Sequence, residues 1–165
     1  MSGLLSLAQL KEAVASGSID TVLVCMVDMQ GRLMGKRFQA EFFLESAVEE
    51  THACNYLLTV DMEMEPIPGF EFASWDEGYG DVHLVPDLAT LRRAGWADGA
   101  AIVLCDVVDR TTHDAVAVAP RTILRRQVER LAEHGLVARA ASELEFYLYD
   151  DTYREAHDQG YADLR

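Results

Sequence analysis

Long apolar runs, paired cysteines and glycine-rich phosphate loops are all missing from these 165 residues. No hydrophobic stretch approaches the roughly 20 residues that a membrane-crossing helix needs. The N-terminus lacks the basic, apolar and small-residue segments of a signal peptide, so a cytoplasmic setting is expected. The cysteines, Cys25, Cys54 and Cys105, are scattered, odd in number and without C-x-x-C spacing. That argues against a disulfide framework and for a reducing compartment; Cys25 and Cys105 lie inside apolar runs and read as small core residues. Gly31 to Gly35 forms neither a G-x-G-x-x-G nor a Walker-type loop, and there is no nucleophile elbow. His52, His83, His113, His134 and His157 have no metal-type spacing with each other or with the cysteines. Positive charge is also scarce. Fourteen basic residues face twenty-eight acidic ones, for a formal net charge of −14. Such a surface repels phosphate backbones and anionic lipid, which argues against nucleic-acid and membrane partners.

What is present is an ordinary globular composition, half hydrophobic and a quarter charged. Ser6-Leu7-Ala8-Gln9 has the form of a capping box, and Leu4, Leu7, Leu10 and Val14 recur at near-helical spacing, giving a first helix that ends near Gly17. Thr21 to Asp28 is a β-branched strand; Gly31 turns the chain and Leu33 to Phe38 returns as a hairpin. Ala40 to Cys54 reads as an amphipathic helix and Asn55 to Val60 as a strand. Asp61 to Asp81, punctuated by Pro66, Pro68, Gly69, Gly78 and Gly80, is an irregular segment long enough to suggest function. Val82 to Pro86 and Ala100 to Val108 are strands, and Trp96 between them is expected to plug the core. Pro120 opens a further helix with an apolar stripe of Ile123, Leu124, Val128 and Leu131, closed by Gly135; His134 in its last turn complements the helix dipole. Asp150 to Arg165 is polar and aperiodic. Short strands with two helices, then a fresh helix and strand, predict a small α+β domain over residues 1–117 and the opening of a second unit over 118–165.

Ser142 to Tyr149 (SELEFYLY) reads as a strand, so Glu143 and Glu145 leave from one face and Leu144, Phe146 and Leu148 from the other. Neighbouring carboxylates on a rigid strand suit hard divalent cations. By spacing alone the plainer reading, a wet strand face, is favoured.

Several phrases in order resemble one family. Val27-Asp28-Met29-Gln30-Gly31-Arg32-Leu33-Met34-Gly35-Lys36-Arg37 is similar to the early hairpin of the glutamine synthetase family. The run Asp81 to Leu91, Trp96-Ala97-Asp98-Gly99 and Val103-Leu104-Cys105-Asp106-Val107 resemble its N-terminal β-grasp domain. Ala119-Pro120-Arg121 with Arg125, and Ser142 to Leu148, resemble the start of its catalytic domain. The similarity runs from about residue 20 to 150.

The resemblance implies an α+β fold, a β-grasp-like N-terminal domain followed by an incomplete first helix and strand of the catalytic domain. It implies an ATP-dependent ligase that activates the γ-carboxylate of glutamate as a γ-glutamyl phosphate, which ammonia or a larger amine then displaces. Mg²⁺ or Mn²⁺ ions and ATP are the expected cofactors, and Glu143 and Glu145 match two metal-binding positions, which reverses the reading from spacing. A homo-oligomer, dodecamer-like in the family, is the expected assembly, with active sites shared between subunits. Between Gly69 and Asp81 the chain departs from the ammonia-using bacterial pattern. Phe72-Ala73-Ser74-Trp75-Asp76-Glu77-Gly78-Tyr79-Gly80 looks more like the γ-glutamyl-polyamine or monoamine synthetase branch. Ser74, Trp75, Asp76 and Tyr79, with Glu71 and Glu77, are candidates to border a cationic amine; a solvated acidic loop pinned by aromatics is the open alternative. The family's remaining metal ligands, ATP site and glutamate-binding arginine have no counterpart here, so the 165-residue chain is expected to be inactive by itself. A non-catalytic β-grasp interaction module and a free-standing divalent-cation binder are the competing readings.

Overall fold

Ser6 caps the first helix as its sequence predicts. The Gln9 backbone N–H donates to Ser6 Oγ at 3.2 Å and the Ser6 N–H donates to Gln9 Oε1 at 2.8 Å. In this computed structural model, which describes residues 4–165, helix α1 spans Leu7–Ala15 and buries Leu10, Ala13 and Val14. Strand β1 (Thr21–Val27) and strand β2 (Leu33–Gln39) form the expected hairpin, in register from Thr21 opposite Gln39 to Val27 opposite Leu33.

The hairpin turn is built around Asp28, which is buried. Its Oδ1 accepts the backbone N–H groups of Gln30 and Arg32, and its Oδ2 accepts Arg32 Nε at 2.7 Å. Arg32 then reaches the carbonyls of Asp61 and Met62, and Gln30 Nε2 donates to the Val60 carbonyl. One turn thereby anchors the start of the irregular segment.

The expected helix from Ala40 to Cys54 is shorter and distorted. Helix α2 covers only Ala40–Phe42, and Phe43–Ala47 continues it as a π-helical turn that buries Phe43 fully. Strand β3 begins at Thr51 and runs to Cys54, because those residues pair with the next strand. Asn55–Leu58 is a 3₁₀ turn where a strand was expected. Strand β4 (Asp81–Arg93) and strand β5 (Ala100–Asp109) complete a five-stranded sheet in the order β2-β1-β5-β4-β3. The β1–β5 pair is parallel and the others are antiparallel. Register shifts between Asp87 and Arg92, where Thr90 Oγ1 donates to the Asp87 carbonyl and accepts the Leu104 N–H. The threonine hydroxyl replaces ladder bonds that the bulge removes.

The main core lies on one face of the sheet, where α1 and the α2–π segment cover Val22, Val24, Met26, Leu84 and Val103. A smaller cluster on Cys25, Ala94, Ala100 and Ile102 occupies the other face. Trp96 is not a core plug: it sits in the turn joining β4 to β5 and is 70% exposed.

Helix α3 (Pro120–Glu133) starts at its proline as expected. It closes in a Schellman motif, with the Gly135 and Leu136 N–H groups donating to the carbonyls of Ala132 and Leu131 and Gly135 at φ +70°. Its apolar stripe is not buried; Ile123, Leu124 and Val128 face solvent. The predicted strand over Ser142 to Tyr149 does not form. That segment has no ladder partner among the described residues, and Leu144 stays 85% exposed and Phe146 74%. A strand needs a neighbour for its N–H and C=O groups, and none is supplied. Beyond it, Thr152 and Glu155 form a reciprocal capping box that opens α4 (Tyr153–Asp158) inside a stretch that had read as aperiodic. The whole is a mixed α/β structure. Among the described residues no helix is long and apolar enough to cross a membrane.

Candidate functional site

Four groups of chemistry-bearing side chains stand out, two expected from sequence and two not. Glu143 and Glu145 lie on the irregular, exposed stretch after α3. Among the described residues neither carboxylate makes a hydrogen bond or ion pair, so both have their oxygens free for hard cations. The fold does not hold them as a rigid pair, and two carboxylates supply few of the six or more oxygens that Mg²⁺ or Mn²⁺ takes.

The irregular segment is more ordered than its composition suggests. Asp61 Oδ1 accepts the N–H groups of Glu63 and Glu65, and Val60 bridges Pro66. Farther on, a tight turn runs from Ser74 to Gly78: the Gly78 N–H donates to the Ser74 carbonyl at 2.8 Å, and the Glu77 N–H to Ser74 Oγ at 3.2 Å. Ser74 is buried, and its hydroxyl and carbonyl hold this turn together. Trp75 is 78% exposed and meets Tyr79 edge-on at 5.2 Å; Tyr79 in turn meets Tyr56 edge-on at 6.0 Å. Tyr56, Met64, Pro66, Trp75 and Tyr79 line a shallow depression of about 290 Å³, while Asp76 and Glu77 are exposed on the same turn. Aromatic walls beside carboxylates favour a cation over an anion.

The third group joins α3 to the sheet. Arg121 Nε donates to Asp106 Oδ1 at 3.0 Å and its Nη2 to Asp87 Oδ2 at 2.7 Å, while Arg125 Nη2 donates to Asp106 Oδ2 at 2.6 Å. Burial pushes the Asp106 carboxyl up, but the bonds from Arg125 and Arg121 outweigh it and hold the group below its usual range.

The fourth group was invisible in the sequence. Glu50, just before β3, places Oε2 3.0 Å from Nδ1 of His83 on β4 and 4.0 Å from Nδ1 of His113 in the turn after β5. Linear spacing gave no signal because three separate segments contribute; only the ladder, which pairs His52 with His83, could have hinted at it.

Residues 117–164 match the family model of the glutamine synthetase catalytic domain. Over 161 residues the chain is 48% identical to the γ-glutamylethanolamide synthetase GlnA4 of Streptomyces coelicolor, covering 97% of this chain and 35% of that protein. It is 35% identical over 145 residues to a glutamate–isopropylamine ligase of a Pseudomonas species, covering 87% and 31% of the two chains. A crystal structure described as a novel glutamine synthase homolog superposes with a TM-score of 0.59 at 18% identity, over 70% of this chain and 27% of that one, and shows likeness of fold alone. The chain thus spans about a third of the length of the curated relatives it matches.

Proposed function

On the premise that the chain is a relative of the glutamine synthetase family and matches its γ-glutamyl-amine members, we propose that it is the N-terminal portion of an ATP-dependent ligase. The reaction joins the γ-carboxylate of glutamate to an organic amine through γ-glutamyl phosphate. The observation that carries this is the near-complete, 48% identical match of the chain to a γ-glutamylethanolamide synthetase. In this reading residues 1–117 are a β-grasp-like domain, supported by a helical segment between two hairpin-like strand pairs and by the parallel β1–β5 seam at the sheet centre. Residues 118–165 open the catalytic domain, and the ligase works as a cytoplasmic homo-oligomer that completes its sites between subunits.

Within that scheme Glu143 and Glu145 each offer a carboxylate to a divalent ion, which when bound neutralises charge on the transferring phosphoryl group. Their freedom from hydrogen bonds among the described residues fits that duty, and two carboxylates alone leave most of such an ion's positions to other oxygens. The Ser74 to Tyr79 turn borders the amine. Trp75 and Tyr79 stack against its alkyl-ammonium portion, Asp76 and Glu77 supply negative charge, and Ser74 keeps the turn closed. Ammonium would share the charge contacts, but only an organic amine also buries alkyl surface against such walls.

The test is phosphate release with glutamate, ATP, Mn²⁺ and either ethanolamine, isopropylamine or ammonium. The 165-residue chain should be silent, and turnover by it would sink the reading of an incomplete site. The longer product of the same reading frame should turn over faster with an organic amine than with ammonium, and Glu145→Ala in that product should abolish turnover without loss of fold. Preference for ammonium would remove the amine assignment.

A further inference from the structure

We propose that Glu50, His83 and His113 form a binding site for a divalent transition-metal ion, Zn²⁺ foremost, that clips the turn after β5 to the edge of the sheet. One ligand atom from each of the three lies within 4.8 Å of the others. The Glu50–His83 contact, at 3.0 Å, already has the spacing of neighbouring ligands. A tetrahedral ion with bonds near 2.0–2.1 Å sets its ligand atoms about 3.4 Å apart. His113, at 4.0 Å from Glu50, therefore has about an ångström or less to close on that carboxylate. It is free to do so, since its side chain is mostly exposed and projects from a turn.

The placement is built by the sheet. His83 stands opposite His52 across the β3–β4 ladder, and the two rings stack at 4.4 Å. On its other side His83 stands opposite Val108 of β5, and Val108 bridges Ala115, which folds the turn carrying His113 back over the strand. The His113 ring consequently meets the His83 ring edge-on at 5.2 Å. Asp109 fixes that turn by accepting the N–H groups of Thr111 and Thr112. A hydrogen bond between Glu50 and His83 accounts for two of these residues; a metal accounts for the convergence of the third.

Two imidazoles and one carboxylate form a mixed nitrogen and oxygen donor set that suits Zn²⁺, Cu²⁺ or Ni²⁺ and disfavours Mg²⁺, which takes oxygen alone. A fourth position is left for water. The site is separate in residues and in metal chemistry from the Glu143 and Glu145 carboxylates, and it stands or falls independently of the ligase reading. Its effect is structural: Glu50 leads into β3, one of the two edge strands, and the ion would tie that edge to β4 and to the turn beyond β5.

The experiment is calorimetric titration of the full chain with Zn²⁺ in a large excess of Mg²⁺, paired with thermal unfolding. The expected result is one equivalent of Zn²⁺ per chain and a raised melting temperature. His113→Gln, an exposed position whose change leaves the fold intact, should lower the affinity by at least the roughly 10–100-fold that losing even an outer-shell partner costs and remove the thermal shift, as should Glu50→Gln. Cys54→Ser and His134→Gln should leave both readouts unchanged. Zn²⁺ binding that survives His113→Gln, or that is lost with Cys54→Ser or His134→Gln, overturns the proposal. So does an absence of stoichiometric binding, which would leave an ordinary hydrogen bond between Glu50 and His83.

Discussion

Arg121 and Asp106 face each other across the junction of helix α3 and strand β5, with Nε 3.0 Å from Oδ1. Because Arg125 takes the second oxygen of Asp106 and Arg121 also reaches Asp87, two carboxylates on neighbouring strands seat the first turns of α3. Apolar burial contributes little to this seating, since most of the helix's apolar stripe is exposed. The helix is held to the sheet by charge.

Asp106→Asn should therefore destabilise the protein by about 1.5–3 kcal/mol at pH 7, the range for hydrogen bonds to charged groups. Its carboxyl is depressed in the folded state, so the stability it contributes is present above the unfolded value, near pH 4, and disappears as pH falls through the folded value. Urea unfolding at pH 7 and at pH 3 should show the gap between wild type and Asp106→Asn narrowing in acid. A gap that widens would contradict the depressed ionisation.

Asp28→Ala removes the centre of the β1–β2 turn. Two backbone N–H groups and Arg32 Nε lose their acceptor, and the arginine's hold on the Asp61 and Met62 carbonyls loosens with them. A loss of about 3–5 kcal/mol is expected, as for a buried ion pair with one partner deleted. Hydrogen exchange should rise both in the turn and around Asp61, two regions distant in sequence.

Gly35→Ala should prevent stable folding. Gly35 stands opposite Cys25 in the hairpin, and a methyl group there would drive into the Val24 backbone carbonyl. Backbone cannot yield as a flexible side chain does, so the cost should exceed the roughly 1–3 kcal/mol typical of overpacking. Glycine is required here by close approach of the neighbouring strand and not by a positive φ. Circular dichroism and thermal melting measure the outcome.

Trp75→Ala should change stability by no more than about 0.5 kcal/mol, because the ring is exposed and packs chiefly against Tyr79. Under the proposed ligase reading, Trp75→Ala in a full-length enzyme should raise KM for the organic amine while leaving KM for glutamate unchanged. An equal rise in both would place the residue outside the amine site.

Thiol titration should separate the cysteines. Burial pushes the Cys105 thiol up to about 12 and raises Cys25 as well. At pH 8 a disulfide reagent should modify the half-buried Cys54 first, with Cys25 and Cys105 reacting only after unfolding in urea. Prompt reaction of all three in the native protein would contradict the buried positions.

Local signals were legible and cooperative ones were not. Ser6 with Gln9, Pro120 and Gly135 specify helix ends through bonds within a few residues, and each end falls where its residues predict. Thr152 with Glu155 carries the same kind of signal, masked by the polar, aperiodic residues around it. Thr51 to Cys54 fall at the end of the helix expected from Ala40, whose apolar pattern rests on Phe42 to Val48, and the ladder to β4 prevails there. Trp96 looked like core by size; its place in the β4–β5 turn decides its exposure instead. Ser142 to Tyr149 has strong strand propensity, yet propensity cannot supply the adjoining strand that a ladder requires. The Glu50, His83 and His113 cluster is legible only after register is known, since its three members come from different elements.

The parallel seam between β1 and β5, where Thr21 lies opposite Ala100, has a kinetic consequence. The β1–β2 and β4–β5 hairpins can zip locally, but the sheet cannot close until both have formed and a long loop has been gathered between them. During synthesis the first hairpin must wait, with the β1 edge from Thr21 to Cys25 still lacking its ladder partner, for β5 to leave the ribosome.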